Sequence, residues 1–238
     1  MNTHLLYSAR HAFIATLLIV MLGVSAFFAF EPSVGRSQSN PHDFVVTQQI
    51  TSELSFLVEA TDVTMSPAIA GVTGGVSSGT TTTRVLTNDS AGYYLTLKFA
   101  STTANPGVAM NGNTQGGYIS NYTPASPGIP DFGFGIAANT AEFAYTVGAS
   151  TTADLDTTFR NNGAVCNNNS GGDTAFNCWL NPTTSPSYSE VIVNRGSETP
   201  GSGATTSIAF RLQVAANPAP AVPEDTYTAT ATLTAVSN

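Results

Sequence analysis

Of 238 residues only 9% are charged, against roughly 25% in ordinary soluble domains, and the formal net charge is −8 with Lys98 the single lysine. Threonine, serine, asparagine and glycine stand where ionised side chains would be, and nothing in this balance neutralises phosphates, so nucleic acid is excluded as a partner. The only histidines are His4, His11 and His42, so the chain beyond residue 42 has no imidazole to act as general base, thiol activator or zinc ligand.

From Ala12 to Phe30 no side chain is charged, Arg10 precedes the run, and Glu31-Pro32 ends it. This spacing predicts an N-terminal hydrophobic helix over residues 1–30, either a transmembrane anchor or a signal peptide cleaved after Val24-Ser25-Ala26. Both readings export the chain beyond Glu31, to the cell surface or the extracellular space. Residues 31–42 have the composition of a flexible tether, and residues 43–238 are expected to form one domain.

That domain is predicted to be all-β. Phe44, Val46, Ile50, Leu54, Phe56 and Val58 share one parity and suit one long strand or two collinear ones. Met65–Ile69 is a further candidate. Thr80–Thr87, the turn residues Asn88–Gly92, and the apolar face Tyr93, Leu95, Leu97 and Phe99 make a hairpin. Residues 104–130 read as a long irregular loop carrying Tyr118 and Tyr122. Strands are expected next at Phe132–Ile136, Phe143–Val147, Val191–Val193 and Ile208–Val214. Ser150–Gly163 reads as one short helix, with Asp154 and Asp156 in its first turn and Leu155 and Phe159 toward the sheet.

The last strand is the clearest. Thr226, Thr228, Thr230, Thr232 and Thr234 alternate with Tyr227, Ala229, Ala231 and Leu233, which predicts a water-facing threonine face and an apolar inner face. The alanines are small, so a bulky layer must pack opposite them. The expected fold is an antiparallel Ig-like or jelly-roll β-sandwich that this strand closes.

Few constellations carry chemistry. Cys166 and Cys178 are expected to form a disulfide, with Trp179 beside it. Tyr118, Tyr122 and Trp179 are candidate exposed aromatics for a partner, and the threonine face is a candidate partner-binding surface. Asn167, Asn169 and Asp173 space oxygen atoms loosely like a calcium loop but lack its carboxylates and closing glutamate, so no metal or cofactor is assigned. Asp154/Asp156 and Glu224/Asp225 are the paired carboxylates a glycan-active enzyme would need. Asn88, Asn121 and Asn168 head glycosylation patterns.

The chain resembles uncharacterised exported bacterial surface proteins built from an N-terminal hydrophobic segment and one β-sandwich. The residues that carry this are Phe44-Val45-Val46-Thr47-Gln48-Gln49-Ile50, Asn88 to Lys98, and Val222 to Val236. More distantly it is similar to spore-coat-U-type and WxL-type sandwiches, although no Trp-x-Leu occurs. The resemblance implies surface location and no catalysis. The expected role is therefore a non-enzymatic structural or adhesive protein of the envelope, its partners the membrane, wall glycan or further copies of itself. The first alternative is an appendage subunit in which Phe44–Val58, or the tether before it, adds as a strand to a neighbour. The second is the glycan-active enzyme.

Overall fold

The computed structural model describes residues 3–29, 43–169 and 173–238. The predicted tether lies outside these. Two units divide the chain, Met1–Gln49 and Ile50–Asn238, so residues 43–49 fall with the first unit rather than with the domain expected from residue 43.

In the first unit α1 (Thr3–Ala29) is a helix without an acidic residue in its first turn or a basic one in its last. Arg10–Phe27 is long and apolar enough to cross a membrane, and none of that span is buried by protein. Residues 43–49 form neither helix nor strand, and Phe44, Val45 and Val46 are 79%, 91% and 82% exposed.

The second unit is β-rich. Its strands are β1 (Leu54–Val58), β2 (Gly75–Thr87), β3 (Tyr93–Phe99), β4 (Met110–Gly112), β5 (Tyr118–Asn121), β6 (Asp131–Phe132), β7 (Ala141–Ala149), β8 (Cys178–Trp179), β9 (Glu190–Arg195), β10 (Ala204–Val214), β11 (Tyr227–Ala229) and β12 (Ala231–Ser237). A curled seven-stranded sheet runs β1-β2-β10-β7-β5-β4-β11, beside a three-stranded sheet β12-β3-β9 and the pair β6-β8. Pairing is antiparallel except between β5 and β7, which departs from the purely antiparallel expectation.

Alternation builds the core. Tyr93, Leu95, Leu97 and Phe99 are buried while Tyr94, Thr96 and Lys98 are half-exposed, and β7 contributes Phe143, Tyr145 and Val147. Phe99 makes an edge-on contact with Phe143 at 6.1 Å and a tilted one with Tyr145 at 5.5 Å.

Several expectations change. The long strand from Phe44 shrinks to β1, because only Leu54 and Phe56 of the series reach the core and Ile50 stays 83% exposed. Met65–Ile69 makes only an isolated bridge at Ser66 to Ser78. Here the threonines of β2 replace the ladder: Thr83 and Thr81 hydroxyls donate to the Val58 and Thr61 carbonyls, and Thr61 N–H donates back to Thr81. The expected helix at 150–163 is two 3-10 turns, Thr152–Asp154 and Thr157–Phe159, separated where Asp156 accepts from the Thr158 N–H. Leu155 and Phe159 still bury as their spacing required. The irregular stretch 104–130 contains β4 and β5, and Phe132–Ile136 supplies only β6. The single closing strand is two. β11 pairs with β4, Thr230 accepts from the Ala100 N–H at 2.9 Å, and β12 pairs with β3, so one alternating segment passes from one sheet to the other.

Candidate functional site

The centre of the largest sheet is incompletely covered. On β10 Ile208 and Val214 are buried, but Phe210 and Leu212 between them, on the same face, are only half-buried. Above them opens a groove of about 1140 Å³. One wall is Glu59–Val72 with Phe56, the other Val222–Leu233, and the floor includes Leu97, Phe99, Phe143, Ile208 and Phe210. Phe99 and Phe143 are 2% exposed, so the groove narrows at its base. Its open part is bounded by the half-buried Phe56, Met65, Phe210, Leu212, Tyr227 and Leu233.

The hydrogen-bond pattern of the second wall comes from its alternation. Thr226 accepts from the Asn113 N–H at 3.0 Å, Thr230 from Ala100, and the Asn238 N–H donates to Gly92. The even-numbered residues thus turn their peptide groups to β4 and β3. Those of Tyr227, Ala229, Ala231 and Leu233 face the groove. β11 and β12 each end their sheet, so among the described residues no strand pairs with this edge. A row of unpaired donors and acceptors beside exposed apolar side chains is a template for another strand.

The two ends of the groove differ. Leu54 pairs with Thr87 and Ser237 with Tyr93, on either side of the Asn88–Gly92 turn. Asn88 accepts from the Glu53 N–H and donates to the Thr51 carbonyl, while the Asn238 amide donates to Ala91. Gly92 holds φ +81° there, and a β-carbon would lie 2.0 Å from the Arg195 carbonyl oxygen. At this end β1 lies against β12 without pairing. At the other end Gly71 approaches Val222 so closely that an added β-carbon would meet its carbonyl oxygen at 2.6 Å.

The threonine face is where alternation put it: Thr226, Thr228, Thr230, Thr232 and Thr234 are all exposed, while Tyr227, Ala229, Leu233 and Ala235 pack toward the core. Ala231 departs from this pattern and is exposed.

Of the candidate aromatics only Tyr118 is exposed, at 45%. Tyr122 and Trp179 are corrected to buried positions, because Phe134 and Ile136 of the neighbouring loop pack on them. Tyr122 stacks on Phe134 at 5.0 Å, Trp179 meets the same ring edge-on at 5.3 Å, and the Arg211 guanidinium sits over Phe134 at 5.1 Å. Tyr122 also donates to Asp131 at 2.7 Å, and burial together with that carboxylate pushes its phenol well up. Cys166 and Cys178 form the expected disulfide, with Cα atoms 5.7 Å apart.

The oxygen-rich loop runs into the undescribed residues 170–172. Asp173 is taken up by Arg160 at 3.5 Å and by the Asn161 N–H, which leaves Asn167 and Asn169 without its carboxylate. No group of three His, Cys, Asp or Glu fit to hold a metal occurs among the described residues. The Asn88 and Asn121 amides are engaged with backbone, and the third glycosylation pattern extends into the undescribed residues.

The paired carboxylates are drawn into separate structural tasks. Asp154 is bound by Arg195 at 2.6 Å and Asp156 caps a 3-10 turn. Asp225 accepts from the N–H groups of Thr114, Gln115 and Thr226 and from the Thr114 hydroxyl, and the Gln115 and Thr114 amides foremost hold its carboxyl down to about 2. A depressed carboxylate stabilises above its unfolded value and is lost as pH falls through its folded one. The 113–115 loop should therefore stay fastened to β11 at pH 4 and release toward pH 2. In Asp225→Asn the Thr114 and Gln115 amides should exchange with solvent faster at neutral pH, which amide hydrogen exchange reads directly.

The class defined here is a β-rich, disulfide-bonded domain preceded by an apolar helix, with an uncovered groove beside the unpaired edge of β11 and β12. No family model, curated protein or solved structure matches the chain.

Proposed function

We propose that this protein is an exported structural subunit of the cell surface that assembles by strand addition, residues 43–50 of one copy filling the groove of the next. It is non-enzymatic in this reading, and its domain is a β-sandwich lacking one strand. The observation that carries it is complementarity within one chain. The groove leaves apolar side chains and peptide groups uncovered, and the segment Phe44–Ile50 leaves a matching apolar series exposed. Seven extended residues span about 23 Å, the same as the free edge from Tyr227 to Leu233. Covering Phe44, Val46 and Ile50 at about 1.5–3 kcal/mol each supplies roughly 5–9 kcal/mol before the hydrogen bonds of the new ladder.

The apolar helix supports export, as a leader or an anchor, and the disulfide fits an oxidising compartment. The low charge and the exposed threonine face suit a surface that meets water and wall polymers. The test is electron microscopy and sedimentation of the exported protein at rising concentration. Filaments of regular diameter are expected; a monomer that stays monodisperse at all concentrations would leave the reading without its basis.

A further inference from the structure

On β10 the groove takes Phe210 and Leu212, so Ser207, Ala209 and Arg211 lie on the opposite face of the sheet. The register with β2 sets Ser78 opposite Arg211, Thr80 opposite Ala209, Thr82 opposite Ser207 and Arg84 opposite Thr205. Ser78, Thr80 and Thr82 are exposed, and their β10 partners are half-buried. The Thr82 and Ser207 hydroxyls meet at 2.9 Å. This makes a lane of hydroxyl and methyl groups with an arginine at each end. From Thr205, the partner of Arg84, to Arg211 the strand runs roughly 20 Å.

The two arginines are set apart by what the other cations of the second unit do. Arg160 is paired with Asp173, Arg195 with Asp154, and the Lys98 ammonium donates to the Pro186 carbonyl. Among the described residues Arg84 and Arg211 donate no hydrogen bond and join no ion pair. Neither β2 nor β10 contains a carboxylate. The acid next in register, Glu142 opposite Gln213, is buried and accepts from the Thr123 N–H. In a chain of net charge −8, unneutralised positive charge is thus gathered on one face.

Both side chains are held in place without being consumed. Arg211 lies over Phe134 at 5.1 Å and Trp179 at 5.9 Å, cation–π contacts that occupy none of its N–H donors. Its Nε is buried with no acceptor. The Arg84 stem lies against bare backbone, its Cγ 2.8 Å from where a β-carbon on Gly203 would stand. Side chains already placed lower the ordering cost of binding.

We infer that this face binds an acidic polysaccharide, carboxylates of its uronic-acid residues pairing with Arg84 and Arg211 and the sugars between them meeting Ser78, Thr80 and Thr82. A guanidinium offers a carboxylate two parallel N–H donors, and two such forks roughly 20 Å apart suit a repeating anion better than a single small one. An anionic membrane fits less well, because the lane between the arginines has no large apolar side chain to enter it. The site stands apart from strand addition, since the groove opens on the other side of β10.

Titration of the full-length exported protein with polygalacturonate, read by calorimetry and by the fluorescence of Trp179, the only tryptophan, tests this. Saturable binding is expected, weakening as salt is raised, and dextran of equal length should give none. Arg84→Gln and Arg211→Gln should each weaken binding about fivefold, and together about 25-fold, because sites so far apart act additively. Thr80→Glu, at an exposed position between the arginines, should also weaken binding and leave the melting curve unchanged. That variant tests the lane even where Arg211→Gln loosens Phe134 and Trp179. Equal binding of dextran would overturn the acidic class of ligand. Binding to phosphatidylglycerol vesicles but not to polygalacturonate would overturn the glycan in favour of a membrane. No binding of polygalacturonate by folded protein at low salt, or binding that all these variants leave unchanged, would overturn the site itself.

Discussion

If subunits assemble by strand addition, replacing Val46 and Ile50 by aspartate should abolish assembly while leaving the domain folded. Both residues are exposed in the single chain, and neither belongs to the core, so their loss costs the monomer nothing measurable. In the filament each would lie in an apolar groove. Losing about 1.5–3 kcal/mol of burial at each position raises the concentration needed for assembly by roughly 10²–10⁴-fold, and the cost of placing a carboxylate against Phe210 and Leu212 adds to it. Sedimentation and circular dichroism together check this: the first should show monomer only, and the second an unchanged β-spectrum and melting temperature. Restoring valine and isoleucine at the two positions in swapped order should bring filaments back, since the groove reads apolar volume more than branching.

The second large effect is on stability. Arg195 donates to Asp154 at 2.6 Å and to the Ser197 and Glu198 carbonyls, with both charged side chains about nine-tenths buried: 13% and 12% exposed. Beside them the Tyr93 hydroxyl is buried with no hydrogen-bond partner, and burial, followed by the Asp154 charge, pushes it up to about 12. Arg195→Leu leaves Asp154 charged and unpaired next to that phenol. The expected cost is about 3–5 kcal/mol, and a domain of this size loses roughly 2–4 °C of melting temperature per kcal/mol. The double variant Asp154→Leu, Arg195→Leu should recover most of the loss, because removing both charges removes the burden that either one alone creates. Thermal melts of the three proteins read this directly. Equal losses in the single and double variants would show that the pair acts through packing rather than charge.

What was legible in the sequence is what alternation alone controls. Tyr93–Phe99 sits where its period of two put it, and so does the threonine face, because a half-buried strand must sort its side chains between water and core. Cys166 and Cys178 pair, as expected of the two cysteines of the chain. The same period misled at Phe44–Ile50. Their pattern is that of a strand, yet they join no sheet in the single chain, since alternation states that a segment will pair without stating with what. Tyr122 and Trp179 went wrong for another reason: their burial depends on Phe134 and Arg211, brought over them from distant positions. The two 3-10 turns at 152–159 keep the apolar spacing of a helix, but Asp156 caps the second turn and interrupts the run, a choice local propensity leaves undecided.

The groove itself had one trace in the sequence, the small Ala229 and Ala231 on the inner face of an otherwise bulky strand. A strand next to a complete layer would carry larger side chains there. Which wall faced it, and that the wall was open, depended on how Glu59–Val72 passes beside β2 through threonine hydroxyls instead of a ladder, which no local pattern announces.

The most direct measurement is amide hydrogen exchange, read residue by residue, on assembled wild-type protein and on the monomeric Val46→Asp, Ile50→Asp variant. Assembly should slow exchange at Tyr227, Ala229, Ala231 and Leu233 and across residues 44–50, while Thr228 and Thr232 are slow in both. Assembled protein whose odd-numbered amides exchange as fast as the monomer's would contradict the account, because the edge that defines the groove would then be unfilled.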